Sequence, residues 1–161
     1  MQDGELLKSA AGALGRVPSG LFILTVRHAA GETGMLASWV QQCSFEPPQL
    51  SMALRRERDV IAWLTPDAPF TVNILDATQT DMIVHFGKGF ALNEPAFTGL
   101  DIDRPGGAPP VLQEALSYLE CRVVTHHPVG DHDLIIGRVV AGRLLGDGQP
   151  MVHIRKSGLH Y

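Results

Sequence analysis

Residues 34–48 carry several side chains that suit the binding of a phosphorylated ligand. Ser38 and Ser44 provide hydroxyl groups, and Gln41 and Gln42 provide amide donors. The segment starts with small residues, which let the backbone approach a ligand closely, and it ends at two prolines, which stop strand pairing. Phosphate is bound by hydroxyl and N–H donors together with one or two cations. The segment therefore predicts a binding site, with water-facing strand polarity as the alternative explanation of its serines.

Cations for such a site lie one strand further along the chain. Arg55, Arg56 and Arg58 follow an apolar stretch at 50–54 that predicts a strand. Each can supply the positive charge that a phosphate needs. A solvated strand end explains a run of charges equally well, so both interpretations stay open.

The same segment offers an apolar wall for a planar ring. Met35, Leu36, Ala37 and Trp39 lie close together in the chain, and their backbone amides can point at the polar edge of a heterocycle. A cofactor that carries its own redox chemistry needs mainly binding and orientation from the protein. Core packing is the commoner role of a large aromatic side chain, and it remains the alternative for Trp39.

Histidines at two places can reach a ring held there. A Gly-Asp pair ahead of His132 predicts a tight turn, from which the imidazole can stack on a ring, hydrogen-bond to it or face water. His85 ends a predicted helix, where it either caps the helix or contacts the ligand. His126, His127 and His132 cluster in the sequence without carboxylate–histidine spacing, so no metal site is predicted.

A mainly β chain must position these residues. Apolar stretches between Gly- and Pro-containing breaks are typical of strands, and apolar residues at helical spacing are typical of helices. Six or seven strands with few helices favour a closed antiparallel barrel. The predicted segments are a helix over 6–14, strands over 20–27, 50–54, 70–75, 115–126, 133–145 and 151–154, helical turns over 59–64, a helix over 78–86 and a long surface loop over 87–110.

Glycines mark the turns and irregularities of this barrel. Gly31 predicts a hairpin turn at 29–33, after which the segment 34–48 follows as the partner strand and its continuation. Gly137 and Gly142 interrupt a long strand pattern, where they predict bulges or kinks.

The composition is that of an ordinary globular protein. The 161 residues fit one domain, 1–161, which can bury a core without disulfides. A net charge of −4 does not favour nucleic acid or an anionic membrane as a partner. No apolar run reaches the roughly 18 residues of a membrane span and no signal peptide is visible, so a cytoplasmic location is expected. Cys43 and Cys121 lack redox-pair spacing, and we expect two buried free thiols in a reducing compartment.

Several ordered motifs resemble the flavin reductase-like, FMN-binding split-barrel family, from about Leu14 to Tyr161. The similarity is especially close to the flavin reductase module of flavodiiron proteins. Two positions depart from the family pattern: Leu36 stands where the family has Thr, and Gln42 stands where it has Ser. The matching motifs are Gly-Met-Leu-Ala-Ser at 34–38, Gln-Cys-Ser at 42–44, Glu-Pro-Pro at 46–48, Phe-Thr-Val-Asn at 70–73, the helix end at 82–86, Leu-Glu-Cys at 119–121, Gly-Asp-His at 130–132 and Gly-Arg-Val at 137–139.

The resemblance implies a mainly β fold, a six-stranded antiparallel split barrel of Greek-key type with a few short helices. It also implies a homodimer that binds FMN near the subunit interface, with FAD as the alternative flavin and NADH or NADPH as the electron donor. By position, residues 35–39 would border the flavin ring, Ser44 with Arg55 or Arg56 would hold the phosphate, and His132 would be the catalytic residue near the nicotinamide. The full set of implied flavin-binding residues is Met35, Leu36, Ala37, Ser38, Trp39, Gln42, Cys43, Ser44, Arg55, Arg56, His85 and Phe86.

The sequence therefore predicts an FMN-binding oxidoreductase, an NAD(P)H-dependent flavin reductase that passes electrons from nicotinamide to flavin and on to an acceptor, which can be another protein. Two alternatives stay open. One is an FMN-binding electron carrier without nicotinamide activity. The other is a flavin-free binding module of the same fold, in which Leu36 and Gln42 would mark the loss of the cofactor.

Overall fold

The computed structural model describes residues 2–161, without the side chain of Gln2. Two α-helices and eleven strands make up its regular structure, together with single 3-10 turns at Asp59–Trp63 and Pro105–Gly107. The predicted segments are confirmed to within a few residues at each end. The elements are α1 (Gln2–Leu14), β1 (Ser19–Gly20), β2 (Phe22–His28), β3 (Gly31–Ala37), β4 (Val40–Phe45), β5 (Pro48–Arg55), β6 (Pro69–Ile74), α2 (Thr80–Gly87), β7 (Ile102–Asp103), β8 (Val111–Leu112), β9 (Ser117–Val129), β10 (His132–Leu144) and β11 (Val152–His153).

The main sheet is antiparallel and has seven strands in the order β3-β2-β6-β9-β10-β5-β4. Its two edge strands, β3 and β4, follow one another in the chain with only Ser38 and Trp39 between them. The sheet must therefore curl until its two edges meet at this link, which is where the barrel is split. This confirms the predicted mainly β, antiparallel barrel class. The sheet has seven strands rather than six because the link divides the segment 34–48 into two strands.

Two apolar cores lie on opposite sides of β2. Leu24 and Val26 belong to the core inside the barrel, whereas Ile23 belongs to a second core that includes Met82 and Phe86 of α2. Alternate residues of a strand point to opposite faces, so both faces of β2 are covered and all three residues are fully buried. Each such side chain contributes roughly 1.5–3 kcal/mol through burial.

Gly137 allows a close contact across the barrel. A Cβ atom placed there would lie 2.3 Å from Cζ of Phe70, which is itself 1% exposed. The register between β9 and β10 shifts at this point, so the bulge predicted at Gly137 is confirmed. The second register shift lies between Val139 and Ala141, ahead of Gly142.

Asn73 ties the long loop 87–110 to the sheet. Its buried side chain donates to the carbonyl oxygens of Ile23 at 3.1 Å and Pro110 at 3.4 Å, and its Oδ1 accepts from the backbone N–H of Leu112 at 2.9 Å. Thr25 adds a 2.6 Å hydrogen bond from its hydroxyl to the same Pro110 carbonyl. The loop is therefore ordered along the sheet, as buried amide groups require partners.

The end of α1 holds the last segment of the described chain. The backbone N–H of Arg155 donates to the carbonyl of Gly15 at 3.0 Å, and that of Gly158 donates to the carbonyl of Ala11 at 2.7 Å. A Cβ atom at Gly158 would lie only 2.0 Å from Cβ of Leu14, so this approach requires glycine. Within residues 2–161, neither helix is long and apolar enough to cross a membrane.

Candidate functional site

A cavity of about 320 Å³ opens where β3 ends and the link to β4 begins. It lies at the junction of the barrel core and the core beneath α2. Eight of the residues singled out in the sequence line it, which brings the predicted apolar wall and two predicted cations together. These residues are Met35, Leu36, Ala37, Ser38, Trp39, Arg55, Arg58 and Phe86.

The apolar wall of this cavity is formed by β3 and α2. Met35 packs against the barrel core and Leu36 against the core under α2, since neighbouring strand residues face opposite sides. Ile83 and Phe86 of α2 complete the wall. Gly34 allows α2 to come this close, because a Cβ atom there would lie 2.8 Å from Cε1 of Phe86. We expected Gly34 to admit a ligand to the backbone; in the structure it admits the Phe86 ring.

Two arginines give the rim of the cavity a positive charge. Arg55, at the end of β5, and Arg58 both line it. The only ion pair of Arg55 among the described residues is with Asp131 at 3.9 Å, and both side chains are substantially exposed. Such a surface pair is weak, so the guanidinium of Arg55 remains available for an anion.

A second cavity, of about 400 Å³, adjoins the first. The two share Trp39, Ala53, Arg55 and Tyr161 as lining residues. His132, the predicted catalytic residue, lines the second cavity and not the first. Trp39 and Tyr161 thus stand between the apolar cavity and the histidine.

Asp131, His132 and Tyr161 form a chain of hydrogen bonds. Nδ1 of His132 lies 2.6 Å from Oδ1 of Asp131, and Nε2 lies 2.7 Å from the Tyr161 hydroxyl. The hydrogen bond from His132 lowers the pKa of Asp131, so the carboxylate is ionised and accepts from Nδ1–H. Burial raises the pKa of Tyr161 against the opposing effect of nearby arginines, so the phenol keeps its proton. Asp131 and Tyr161 together hold the imidazole in one orientation, with a hydrogen-bond partner at each ring nitrogen.

Trp39 is part of this site rather than of either core. Its ring lies 4.8 Å from that of His132 and 5.6 Å from that of Tyr161. The Arg155 guanidinium lies over the indole at 5.0 Å. The side chain is only half-buried, and the core-packing interpretation of Trp39 is therefore wrong.

Three predicted residues on β4 line neither of these cavities. Gln42 and Cys43 are exposed, and Ser44 is half-buried. The register between β4 and β5 shifts between Gln42 and Ser44, and Nε2 of Gln42 donates to the carbonyl of Ser44 at 3.3 Å. The structure therefore does not bring these side chains to the apolar wall.

Two other predicted residues also point elsewhere. Arg56 donates to Oδ1 of Asp133 and to the carbonyl of His132, both at 3.3 Å. His85 bonds through Nε2 to the carbonyl of Ala96 at 2.7 Å, which fastens the loop 87–110 to α2. Neither lines the apolar cavity, although His85 packs edge-on against Phe86, which does.

The three histidines that cluster in the sequence each contact a different polar side chain. His126 lies 3.1 Å from the carboxylate of Asp133, His127 lies 3.0 Å from the hydroxyl of Thr125, and His132 bonds to Asp131. In the part of the chain that the structure describes, no group of three or more His, Cys, Asp or Glu residues is arranged to hold a metal ion.

The cysteines differ from each other in their surroundings. Both are free thiols, as expected, but Cys43 is exposed while Cys121 is buried. The expectation that both are buried was therefore wrong for Cys43. Burial raises the pKa of Cys121 to about 12.

Sequence reasoning missed Tyr161 and Arg155 as site residues. No motif or periodic pattern surrounds them, and their segment is placed by the pairing of β11 with β1 and by its contacts with the end of α1. Arg58 was recognised as a candidate phosphate ligand within the arginine run, and the structure places it at the cavity. Local patterns do not reveal a contact made between distant segments.

Comparison with known proteins relates this chain to a family. Residues 14–158 match the family model described as "Flavin reductase like domain". Putative diflavin flavoprotein A 3 of Synechocystis sp. is 38% identical over 150 residues, which cover 92% of this chain and 25% of that protein. The chain spans about a quarter of the length of the curated relatives that it matches.

Solved structures share the fold. The NADH:FAD oxidoreductase SgcE6 of Streptomyces globisporus C-1027 superposes with a TM-score of 0.83 at 23% identity, covering 95% of this chain and 89% of that one. The flavin reductase HpaC, complexed with NADP+, gives a TM-score of 0.75 at 25% identity, covering 95% and 94%. The predicted split-barrel class is thus confirmed. Since the family model covers most of its length, the chain belongs to the flavin reductase-like domain family.

Proposed function

We propose that this chain is a flavin-binding oxidoreductase that uses NADH or NADPH to reduce FMN, with FAD as the alternative flavin. Membership of the flavin reductase-like family supports the general class, a flavin-reducing oxidoreductase. The observation that carries the proposal is the cavity whose wall runs from Met35 to Trp39 and whose rim holds Arg55 and Arg58. We further propose that residues 1–161 act as one flavin-binding domain, which the match over residues 14–158 supports.

The residues of the cavity suit a flavin. A volume of about 320 Å³ lies in the range of small-molecule sites. Met35, Leu36 and Phe86 would pack against the ring, while the Ser38 hydroxyl and the backbone of residues 35–39 would face its polar edge. The absence of a threonine hydroxyl at Leu36 leaves the apolar contact in place.

The phosphate of the flavin would be held by Arg55 and Arg58. Both line the cavity, and guanidinium groups match phosphate in charge and geometry. These phosphate ligands differ from Ser44 and Arg56, which the family resemblance implied. Arg56 is not available for the phosphate because its side chain is hydrogen-bonded to Asp133. The replacement of serine by Gln42 then matters little, because β4 contributes none of the lining residues.

The second cavity would receive the nicotinamide. His132 lines it, and Asp131 engages Nδ1 of this histidine. Nε2 is therefore the ring nitrogen that would hydrogen-bond to the nucleotide. The bound flavin supplies the redox chemistry by accepting a hydride from the nicotinamide and passing electrons on. The protein positions the two rings, and Trp39 and Arg55 lie where the cavities adjoin.

We also propose that the protein is a cytoplasmic homodimer. The free, exposed thiol of Cys43 suits a reducing compartment. Val124 on β9 and Val140 and Leu144 on β10 are exposed by 45%, 51% and 71% on neighbouring strands, which suits an apolar interface between two copies. The acceptor of the electrons is free flavin or a protein.

Anaerobic absorbance spectroscopy tests the proposal. Purified protein is loaded with FMN, in parallel with FAD, and then titrated with NADH and with NADPH. Bleaching of the flavin band supports the reductase and identifies the donor. Bound flavin that neither nucleotide bleaches overturns the reductase in favour of an electron carrier, and failure to bind any flavin overturns both.

A further inference from the structure

Tyr161 occupies the boundary between the two cavities. Its side chain lines both of them, and its ring lies 5.6 Å from that of Trp39 and 6.0 Å from that of His132. Its hydroxyl forms a 2.7 Å hydrogen bond with Nε2 of His132. The phenol ring of Tyr161 therefore occupies the position beside the flavin cavity where the proposed function requires the nicotinamide ring.

For hydride transfer, the nicotinamide needs the space that this phenol occupies. The reacting atoms must approach to about 3–3.5 Å, so the nicotinamide and the flavin need direct contact. Four residues line both cavities, and among them Tyr161 is the one whose side chain hydrogen-bonds to the His132 ring, so its phenol takes up space beside His132 that such a nicotinamide needs. The phenol and a productively bound nicotinamide therefore exclude each other.

Tyr161 can leave this position by rotation of its own side chain, while the backbone of its segment stays anchored. Gly158 is anchored by its hydrogen bond to Ala11 at 2.7 Å and by its close packing on Leu14. The tyrosine is 57% exposed, so its side chain has open space into which it can rotate. Among the described residues, its single hydrogen bond is the one to His132. Rotation of the side chain breaks this hydrogen bond and the ring contacts with Trp39, His132 and Arg55, and it leaves Nε2 of His132 open to a new partner.

We propose that Tyr161 is a displaceable placeholder for the nicotinamide ring, and that its occupancy sets the affinity for the nucleotide. The inference rests on the proposed function, because it takes the second cavity as the nicotinamide site. A ligand that must first displace a bound side chain has its apparent affinity reduced by the fraction of protein in the open state. The phenol hydrogen bond alone accounts for a roughly twofold to tenfold effect, and the ring contacts add to it.

Binding of a nucleotide that cannot transfer hydride tests the placeholder directly. The tetrahydronicotinamide analogue of NADH is titrated by calorimetry into flavin-loaded wild type, Tyr161→Phe and Tyr161→Ala. We expect binding about tenfold tighter for Tyr161→Ala and an intermediate gain for Tyr161→Phe. Tyr118→Phe is the matched control: this second tyrosine lines a separate cavity with Asp103 and Arg104, and its variant should bind like wild type.

Nitrogen NMR of the His132 imidazole provides a readout that does not depend on activity. In flavin-loaded wild type, the Nε2 signal should shift when the analogue displaces the phenol, and Tyr161→Phe without nucleotide should lose the same hydrogen-bond contribution. An Nε2 signal that keeps its Tyr161 hydrogen bond in the saturated complex overturns the placeholder.

The outcomes separate this inference from the proposed function. If wild type is bleached by NADH or NADPH but Tyr161→Ala binds the analogue equally or more weakly, Tyr161 is a fixed wall and the placeholder alone fails. Bleaching of Tyr161→Ala but not of wild type supports the placeholder. If no variant binds the analogue, both the placeholder and the nicotinamide activity fail.

Discussion

Gly34 of β3 lies directly beneath Phe86 of α2, and a Cβ atom at Gly34 would come within 2.8 Å of the phenylalanine ring. Phe97 would be the next contact, at 3.2 Å. The absence of a side chain at Gly34 thus determines how closely α2 approaches the sheet. Since Phe86 and Met35 both line the apolar cavity, this spacing also shapes the proposed flavin site.

Substitution Gly34→Ala should therefore destabilise the fold and weaken flavin binding together. Overpacking of a well-packed core costs about 1–3 kcal/mol, because the rings must shift. Urea unfolding and flavin titration measure the two effects. Gly12→Ala is the control, since Gly12 is exposed on α1 and an added Cβ would have no atom within 4 Å apart from the adjacent backbone of α1 itself. An unchanged free energy of unfolding for Gly34→Ala would contradict the tight packing.

Removal of either rim arginine should weaken phosphate binding selectively. Arg55→Ala and Arg58→Ala each lose a guanidinium at the cavity, and we expect about tenfold weaker binding of FMN. Riboflavin, which lacks the phosphate, should be affected much less. Quenching of flavin fluorescence measures both affinities, with exposed Arg138→Ala as the control. Equal losses for FMN and riboflavin would show that the arginines do not bind the phosphate.

Substitution Asn73→Ala should destabilise the protein by about 2–4 kcal/mol. It removes the hydrogen bonds to Ile23 and Pro110 and leaves the buried N–H of Leu112 without its partner. Chemical denaturation measures the change. Asn93→Ala, at an exposed position of the same long loop, should stay within about 0.5 kcal/mol of wild type. A similar effect at both positions would contradict the anchoring role of Asn73.

Asp133 should make stability depend on pH in the acid range. Burial acts to raise the pKa of this carboxyl, but hydrogen bonds from His126 and Arg56 outweigh it and lower the pKa below its ordinary value. A lowered folded-state pKa stabilises the protein above the unfolded value of about 3.9, and this contribution is lost as the pH falls through the folded pKa.

The variant Asp133→Asn should therefore lose less stability than wild type on acidification below about pH 4. Urea unfolding between pH 7 and pH 3 measures both proteins. Asp147→Asn, which changes an exposed carboxylate outside this hydrogen-bond network, controls for the change in net charge. Parallel pH profiles for wild type and Asp133→Asn would contradict the prediction.

The two thiols should react at very different rates. Cys43 is exposed, whereas Cys121 is buried with a pKa raised to about 12, so the native protein should react rapidly at one thiol. A second equivalent should appear only in denaturant. Titration with a chromogenic disulfide reagent counts both, and Cys43→Ser should abolish the fast phase. Two fast equivalents in the native protein would show that Cys121 is accessible.

Local sequence patterns were enough to predict the class of fold and the segment 35–39 that lines the apolar cavity. Strand and helix periods, with glycine and proline at the breaks, are properties of short segments and placed most elements to within a few residues. The run 35–39 was recognised because a strand that ends in small and polar residues is locally unusual, and the structure opens a cavity there.

The register of the strands in the folded structure determines which of their side chains face the cavities. Arg55 and Arg56 are neighbours, yet only Arg55 lines the cavities, because successive strand residues point to opposite sides. A register shift between Gln42 and Ser44 alters which side chains of β4 face inward. A one-residue slip in register turns every side chain of a strand to the opposite face, and the amino-acid composition of the strand does not show which register is adopted.

Long-range contacts completed the site. Tyr161 reaches His132 across 29 residues of sequence, and Arg155 covers Trp39 from the opposite end of the chain. Neither contact has a local signature, because each depends on the docking of residues 155–158 against the end of α1. The types of residue that suit a flavin were predicted from the chain alone, but the packing of distant segments decided which of them meet and placed Tyr161 where the two cavities adjoin.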